Sequence, residues 1–395
     1  MTTHAAPRPR LVRLLGGSHG SVCARGVTVV ALGLVVALGA PASAGVPAAK
    51  RADGRLTCTG PATAKSTTAL TPIAKNPTSA LPVSYTDRSG RTVTISDTRR
   101  ILALDTYGTL GTTVYALGLG KRLVGRDVST GVPSLMHLPV VTHNGHELNA
   151  EAIMKLRPSV ILTDYSIGPL EVQLQLRDSG IPVVIMSDQR SRDQIGAQIQ
   201  AVADVLGVPD AGAALAERVE RDVVAAEAKV AGLAPADPKQ RLRMVFLYMR
   251  GNAGVYYWFG EGSGADDLIR SLRGVDVADE VGLEGMRPIN AEGLVKADPD
   301  LYLMMTLGLK SVGGLTGLLE VPGVADTNAG RRACVVDMSD YQILSFGPQY
   351  PATLDALATA VYTKAAPGSA TKASAAKAAA KTSTATADPA KAGVS

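Results

Sequence analysis

Leu148-Asn-Ala-Glu-Ala-Ile-Met-Lys-Leu-Arg-Pro-Ser-Val-Ile-Leu162 recurs, 141 residues further on, as Ile289-Asn-Ala-Glu-Gly-Leu-Val-Lys-Ala-Asp-Pro-Asp-Leu-Tyr-Leu303. Both copies read Asn-Ala-Glu, then a Lys four residues after the Glu, then a Pro and an apolar run. Asn149 and Asn290 are natural N-caps, and Glu151 and Glu292 fall in the first turn, where the helix dipole favours an anion. Each copy therefore predicts a capped helix, a stop and a strand. Such a repeat marks two homologous lobes.

Working outward, short apolar runs alternate with amphipathic stretches, the pattern of an α/β fold. Ile101–Leu104, Val160–Thr163 and Val183–Met186 read as strands, with a helix over about 108–117 closed by Gly118. Residues 188–206 read as a helix stopped at Gly207-Val-Pro209. A longer helix follows over 211–230, its apolar stripe carried by Leu215, Val219, Val223 and Ala226 and its outer face by the Glu217–Arg221 pair. Some twenty residues span roughly 30 Å. Met244–Tyr248 then opens a second α/β block. The expected architecture is two Rossmann-like lobes joined by one long, rigid linker helix. Its boundaries are 83–207 for the first lobe, 208–238 for the linker helix and 239–364 for the second lobe.

The ends carry different information. Arg8, Arg10, Arg13 and Arg25 precede an uncharged apolar run from Val27 to Ala40, and Ala42-Ser-Ala44 follows as a cleavage site. Fourteen apolar residues fall short of the roughly 20 that span a bilayer, so 1–44 reads as an export signal peptide. Residues 45–82 lack periodicity and read as a flexible linker; 365–395 read as a disordered low-complexity tail. The formal charge of +5 gathers largely in these ends, and no basic stripe interleaved with aromatics accompanies it, which argues against nucleic acid as a partner. Cys23 lies in the signal, leaving Cys58 and Cys334 either to pair in an oxidising compartment or to stay free. Cys58 is poorly placed as a lipid-attachment residue: it sits eighteen residues past the apolar run, and Arg55-Leu-Thr57 offers no small residue before it.

Two facing lobes leave a cleft, and open α/β sheets bind ligands beyond the carboxyl ends of their strands. Four stretches bear on that cleft: Gly145-His-Glu-Leu-Asn-Ala-Glu151, Leu247-Tyr-Met-Arg-Gly251, Met305-Thr-Leu-Gly-Leu309 and Leu344-Ser-Phe-Gly-Pro348. On these the chain resembles the substrate-binding component of iron-complex and vitamin B12 ABC importers, and within it the haem-binding proteins of bacterial haem importers, over about residues 83–364. The resemblance implies an extracytoplasmic protein that captures haem and delivers it to a membrane permease for iron uptake, with haem-donor proteins as further partners. Ferric siderophore or cobalamin is the alternative cargo on the same fold.

Haem iron takes axial ligands such as His, Tyr or Met. Beyond the signal the chain has only His137, His143 and His146, all in the first lobe. The resemblance implies His146 and Tyr248 as the axial pair, with His143 a rival three residues away. It also implies that Arg250, two residues beyond Tyr248 and on the same face of an extended strand, supports the tyrosine. Matching Gly145 with Gly285, one residue out of step with the 141-residue offset, sets Met286 opposite His146, which makes Met286 a pocket wall; Met305 joins it by resemblance. Tyr257, between Tyr256 and Trp258, could stack on a flat macrocycle, or the three aromatics could form a core or hairpin. Glu151 and Glu292, one per lobe, are implied to dock on the permease.

Other chemistries fit less well. A zinc or manganese carrier would use His143, His146 and Glu147, but such sites need about four donors and the second lobe offers no His. Gly260-Glu-Gly-Ser-Gly264 lacks the Lys of a phosphate loop, and Asp266-Asp267 behind it would repel phosphate, so it reads as a turn with Ser263 capping a helix. No nucleophile-elbow sequence is present, and no enzyme activity is expected.

Overall fold

The computed structural model describes residues 55–365. The expected signal peptide and nearly all of the expected tail lie outside the described residues. The first lobe is built on a parallel three-stranded sheet, with Val160–Thr163 between Ile101–Leu104 and Val183–Ile185. The second is larger. Ala62–Ala64, Val335–Met338, Leu301–Met305 and Arg243–Arg250 run parallel, and Val255–Phe259 and Met286–Pro288 extend the sheet in antiparallel fashion.

The central strands are apolar throughout because both faces of each sheet are covered. Ile101, Ala103, Val160, Leu162 and Val184 face a core shared with Met244, Phe246, Leu301 and Leu303 of the second lobe. Alternate residues turn to outer layers: Leu102, Leu104, Ile161 and Ile185 in the first lobe, and Val245, Leu247, Tyr302 and Met304 in the second. Both repeat helices form as expected. Asn149 Oδ1 accepts from Ala152 N and Asn290 Oδ1 from Glu292 N, and Ala150–Lys155 and Ala291–Ala297 each lead into a strand.

The linker helix runs Pro209–Leu233, about 37 Å, a few residues beyond the helix expected over 211–230 and inside the 208–238 segment. Proline occupies its first turn, and its buried stripe runs Gly212, Leu215, Val219, Val223, Ala226, Val230. This stripe belongs to the shared core.

Two expectations need correction. Residues 188–206 are not one helix: after Val183–Ile185 the chain runs irregularly through Arg190, makes a short 3-10 turn at Arg192–Gln194 and becomes α-helical only at Ile195–Val205. The second correction concerns 55–82, which is a packed strap rather than a flexible linker. Ala62–Ala64 adds a strand to the second lobe, and Cys58 bonds Cys334 with Cα atoms 5.6 Å apart. That bond leaves no thiol at Cys58 for a lipid. Farther on, Thr71 O accepts from Arg218 of the linker helix, Ile73 N donates to Ala116 O and Ala80 N to Gly207 O. The strap thus crosses from the second lobe over the linker helix to the first. It lacks periodicity because its hydrogen bonds go to distant elements and not along its own length.

Candidate functional site

His146 sits in the turn of a small hairpin, Thr142–His143 paired with Glu147–Leu148. Asn144 and Gly145 take positive φ (45° and 92°), which reverses the chain and presents His146. His143 points elsewhere: it is exposed, with Nε2 3.4 Å from Glu147 across the hairpin. His146 is partly buried, and its Nδ1 finds no hydrogen-bond partner among the described residues. Burial, and then the Arg250 guanidinium, hold its imidazolium below the ordinary value against the opposing pull of Asp105 and Asp340. Arg250 and Asp340 belong to the second lobe, so His146 lies within electrostatic reach of the opposite side of the cleft. Its ring is neutral near pH 7, with a lone pair available to a metal.

Opposite it, Arg243–Arg250 ends in Tyr248, Met249 and Arg250. The Tyr248 ring stacks on Phe259 at 5.4 Å, and Arg250 Cζ lies 4.6 Å from the Tyr248 centroid. Arg250 also donates to Met249 O (3.0 Å), approaches Met305 Sδ (3.8 Å) and pairs with Asp340 (3.1 Å). Met305 is therefore buried beneath the arginine. Tyr257 lies directly across the sheet from Tyr248, and Met286 directly across from Phe259. Cross-strand partners share a face, so Tyr248, Tyr257 and Met286 lie on one side of the sheet, with Met286 exposed. Trp258 points to the opposite, outer core, and Tyr256 packs against it.

The first lobe contributes residues that the sequence reading missed. Asp105, Tyr107 and Asp164 follow their strands directly. Arg190 Nη2 donates to Asp105 (3.1 Å) and Asp164 (2.6 Å), and its Cζ lies 5.1 Å from the Tyr107 ring. Burial, and then the Asp105 charge, push Asp164 up to about 6 and neighbouring Asp127 up to about 7. Burial also raises the Tyr107 phenol, and Tyr248 of the other lobe adds to that rise. Tyr341 reaches across from the second lobe onto Gly131, where a Cβ would come within 2.2 Å of the ring. The rule that points to residues just after strands would have found Tyr107 and Asp340; the mistaken helix over 188–206 hid Arg190.

A cavity of about 400 Å³ opens beside this site, lined by Lys65 and Ser66 of the strap together with Leu307, Asp340 and Tyr341. Glu151 and Glu292 are both exposed, each in the first turn of its repeat helix. Gly260–Gly264 is a turn. Ser263 Oγ donates to Gly260 O and accepts from Ala265 N, while Gly264, in the left-handed conformation, holds the cap position expected of Ser263. Among the described residues no three His, Cys, Asp or Glu side chains gather as a metal ion would require, and no helix is long and apolar enough to cross a membrane.

Residues 106–341 match the periplasmic binding protein family. The chain is 44% identical to the crystal structure of the haem-binding protein HmuT, over 77% of this chain and 98% of that one, with a TM-score of 0.74. HmuT has also been solved with a single His, Tyr or Arg replaced by Ala, the Tyr and Arg two positions apart. The periplasmic haem-binding protein RhuT of Roseiflexus sp. RS-1 is 33% identical over 68% of this chain and all of its own, with a TM-score of 0.63. An ABC transporter substrate-binding lipoprotein of Bacillus subtilis, YvrC, itself uncharacterised, is 24% identical over 73% of this chain and 88% of its own. The chain belongs to the periplasmic binding protein family and is an extracytoplasmic solute-binding protein.

Proposed function

We propose that the protein captures haem between its lobes and hands it to the permease of an ABC importer. His146 ligates the iron from the first lobe and Tyr248 from the second. The observation that carries this reading is a partly buried imidazole whose Nδ1 lacks a partner, within electrostatic reach of the guanidinium that covers Tyr248. A positive charge beside the ring stabilises the charge the phenol oxygen takes on when it binds Fe(III). Tyr257 and Met286, on the same face as Tyr248, and buried Met305 wall the macrocycle; His143, turned to Glu147, is not a ligand. The spacing of the Tyr and Arg replaced in HmuT equals that of Tyr248 and Arg250, which supports the assignment. Glu151 and Glu292 give each lobe one exposed carboxylate for docking on the permease.

The test is an absorbance titration of the purified protein with hemin. A saturable Soret change near one equivalent is expected. His146→Ala and Tyr248→Ala should each weaken binding at least about tenfold, or about 1.4 kcal/mol. Without a saturable change in the wild type, the cargo becomes a ferric siderophore or a corrinoid. Reversing both charges, with Glu151→Lys and Glu292→Lys, should abolish haem uptake by cells and leave hemin affinity unchanged; a loss of affinity would refute the docking role.

A further inference from the structure

We infer that Asp340 is a positioning residue for the tyrosine ligand: it fixes Arg250 over Tyr248 and thereby sets how firmly the phenol oxygen holds iron. This inference rests on the haem reading above.

Asp340 follows the strand Val335–Met338, and its two oxygens are divided between two elements. One accepts from Arg250 Nη2 at 3.1 Å, the other from Leu307 N at 2.8 Å, at the start of the helix Thr306–Ser311. The Leu307 N–H fixes the carboxylate independently of the guanidinium, so the arginine comes to the carboxylate. That restraint is needed, because Arg250 keeps 30% of its side chain exposed and a free arginine carries about 2 kcal/mol of rotamer entropy. Its other contacts, Met249 O and the Met305 sulfur, are weaker anchors than a carboxylate.

Gly308 completes the seat. A Cβ there would lie 3.3 Å from Arg250 Nη1 and 3.0 Å from Met249 O, closer than side chains normally approach. The helix that Asp340 anchors by its first turn therefore also leaves the guanidinium its room. Charge and shape converge on one position for Arg250, 4.6 Å from the Tyr248 ring.

The test compares hemin complexes of the wild type, Asp340→Asn, Arg250→Ala and the double variant, read by the tyrosinate-to-iron charge-transfer band and by the rate of hemin loss to apomyoglobin. Asp340→Asn should shift the band and speed hemin loss about tenfold, the lower end for a residue that orients a metal ligand. The double variant should lose hemin no faster than Arg250→Ala, because Asp340 acts through the arginine. Gly308→Ala, which keeps every charge and a good helix former, should shift the same band. A wild-type band and rate in Asp340→Asn, or effects that multiply in the double variant, would overturn the role while leaving haem binding intact. A wild type that takes up no hemin would overturn the haem reading and this role together.

Discussion

Each lobe sets an arginine over a tyrosine at the carboxyl edge of its sheet, after the strands in the first lobe and at a strand's last residues in the second, and answers it with carboxylate. In the first lobe Arg190 lies over Tyr107 between Asp105 and Asp164, with 3% of its side chain exposed. In the second, Arg250 lies over Tyr248 against Asp340 alone and is 30% exposed. The same three residue types thus make two devices. Two buried carboxylates consume the charge of Arg190, which ties the loops after three strands into one floor. A single carboxylate pairs with Arg250, which stays partly open to the solvent. What separates the two arginines is the number of carboxylate partners and access to solvent.

The largest effect should come from breaking the closed device. Arg190→Ala strands two buried carboxylates and should cost about 3–5 kcal/mol of stability in denaturant unfolding. Arg250→Ala, at a half-open pair, should cost about 1 kcal/mol or less. Equal losses would mean that the two arginines do the same work.

The tyrosines offer a sharper contrast. Tyr248→Phe should weaken hemin binding about tenfold or more, about 1.4 kcal/mol. Tyr107→Phe should leave it unchanged, because burial keeps that phenol protonated and Arg190 holds its ring.

A further contrast lies in pH dependence. Burial, and then the Asp105 charge, push Asp127 up to about 7 and Asp164 up to about 6 in the folded protein, above the ordinary 3.8. Between those values the folded state binds more protons than the unfolded, so their contribution to stability is present below about pH 4 and declines as pH rises toward 7. Asp127→Asn should flatten that decline in unfolding experiments run from pH 4 to 8. An unchanged slope would remove Asp127 from the account.

How much of this was legible beforehand varies by residue. Asn149 and Asn290 declared their helices because a cap is a contact between near neighbours in sequence. His146, Tyr248 and Arg250 were named through the family resemblance; the residues alone said only that the histidines beyond the signal sit in the first lobe and that Tyr248 and Arg250 share a strand face. Arg190 gave no such sign: its partners lie 26 and 85 residues away, and the local pattern around it resembles a helix start. The strap was misread for the same reason, since Ala62–Ala64 becomes a strand only by pairing with residues more than 270 positions on.

The sequence by itself determined the two-lobe plan, the linker helix and the capped repeat helices, because periodicity and capping act within a few residues. Only the tertiary structure decided that Cys58 meets Cys334, that 55–82 is a strap, that His143 turns away from the cleft, and that Asp340 rather than solvent answers Arg250. Those outcomes depend on which distant backbone or charge comes within about 3 Å, the reach of a hydrogen bond, and no local pattern encodes that distance.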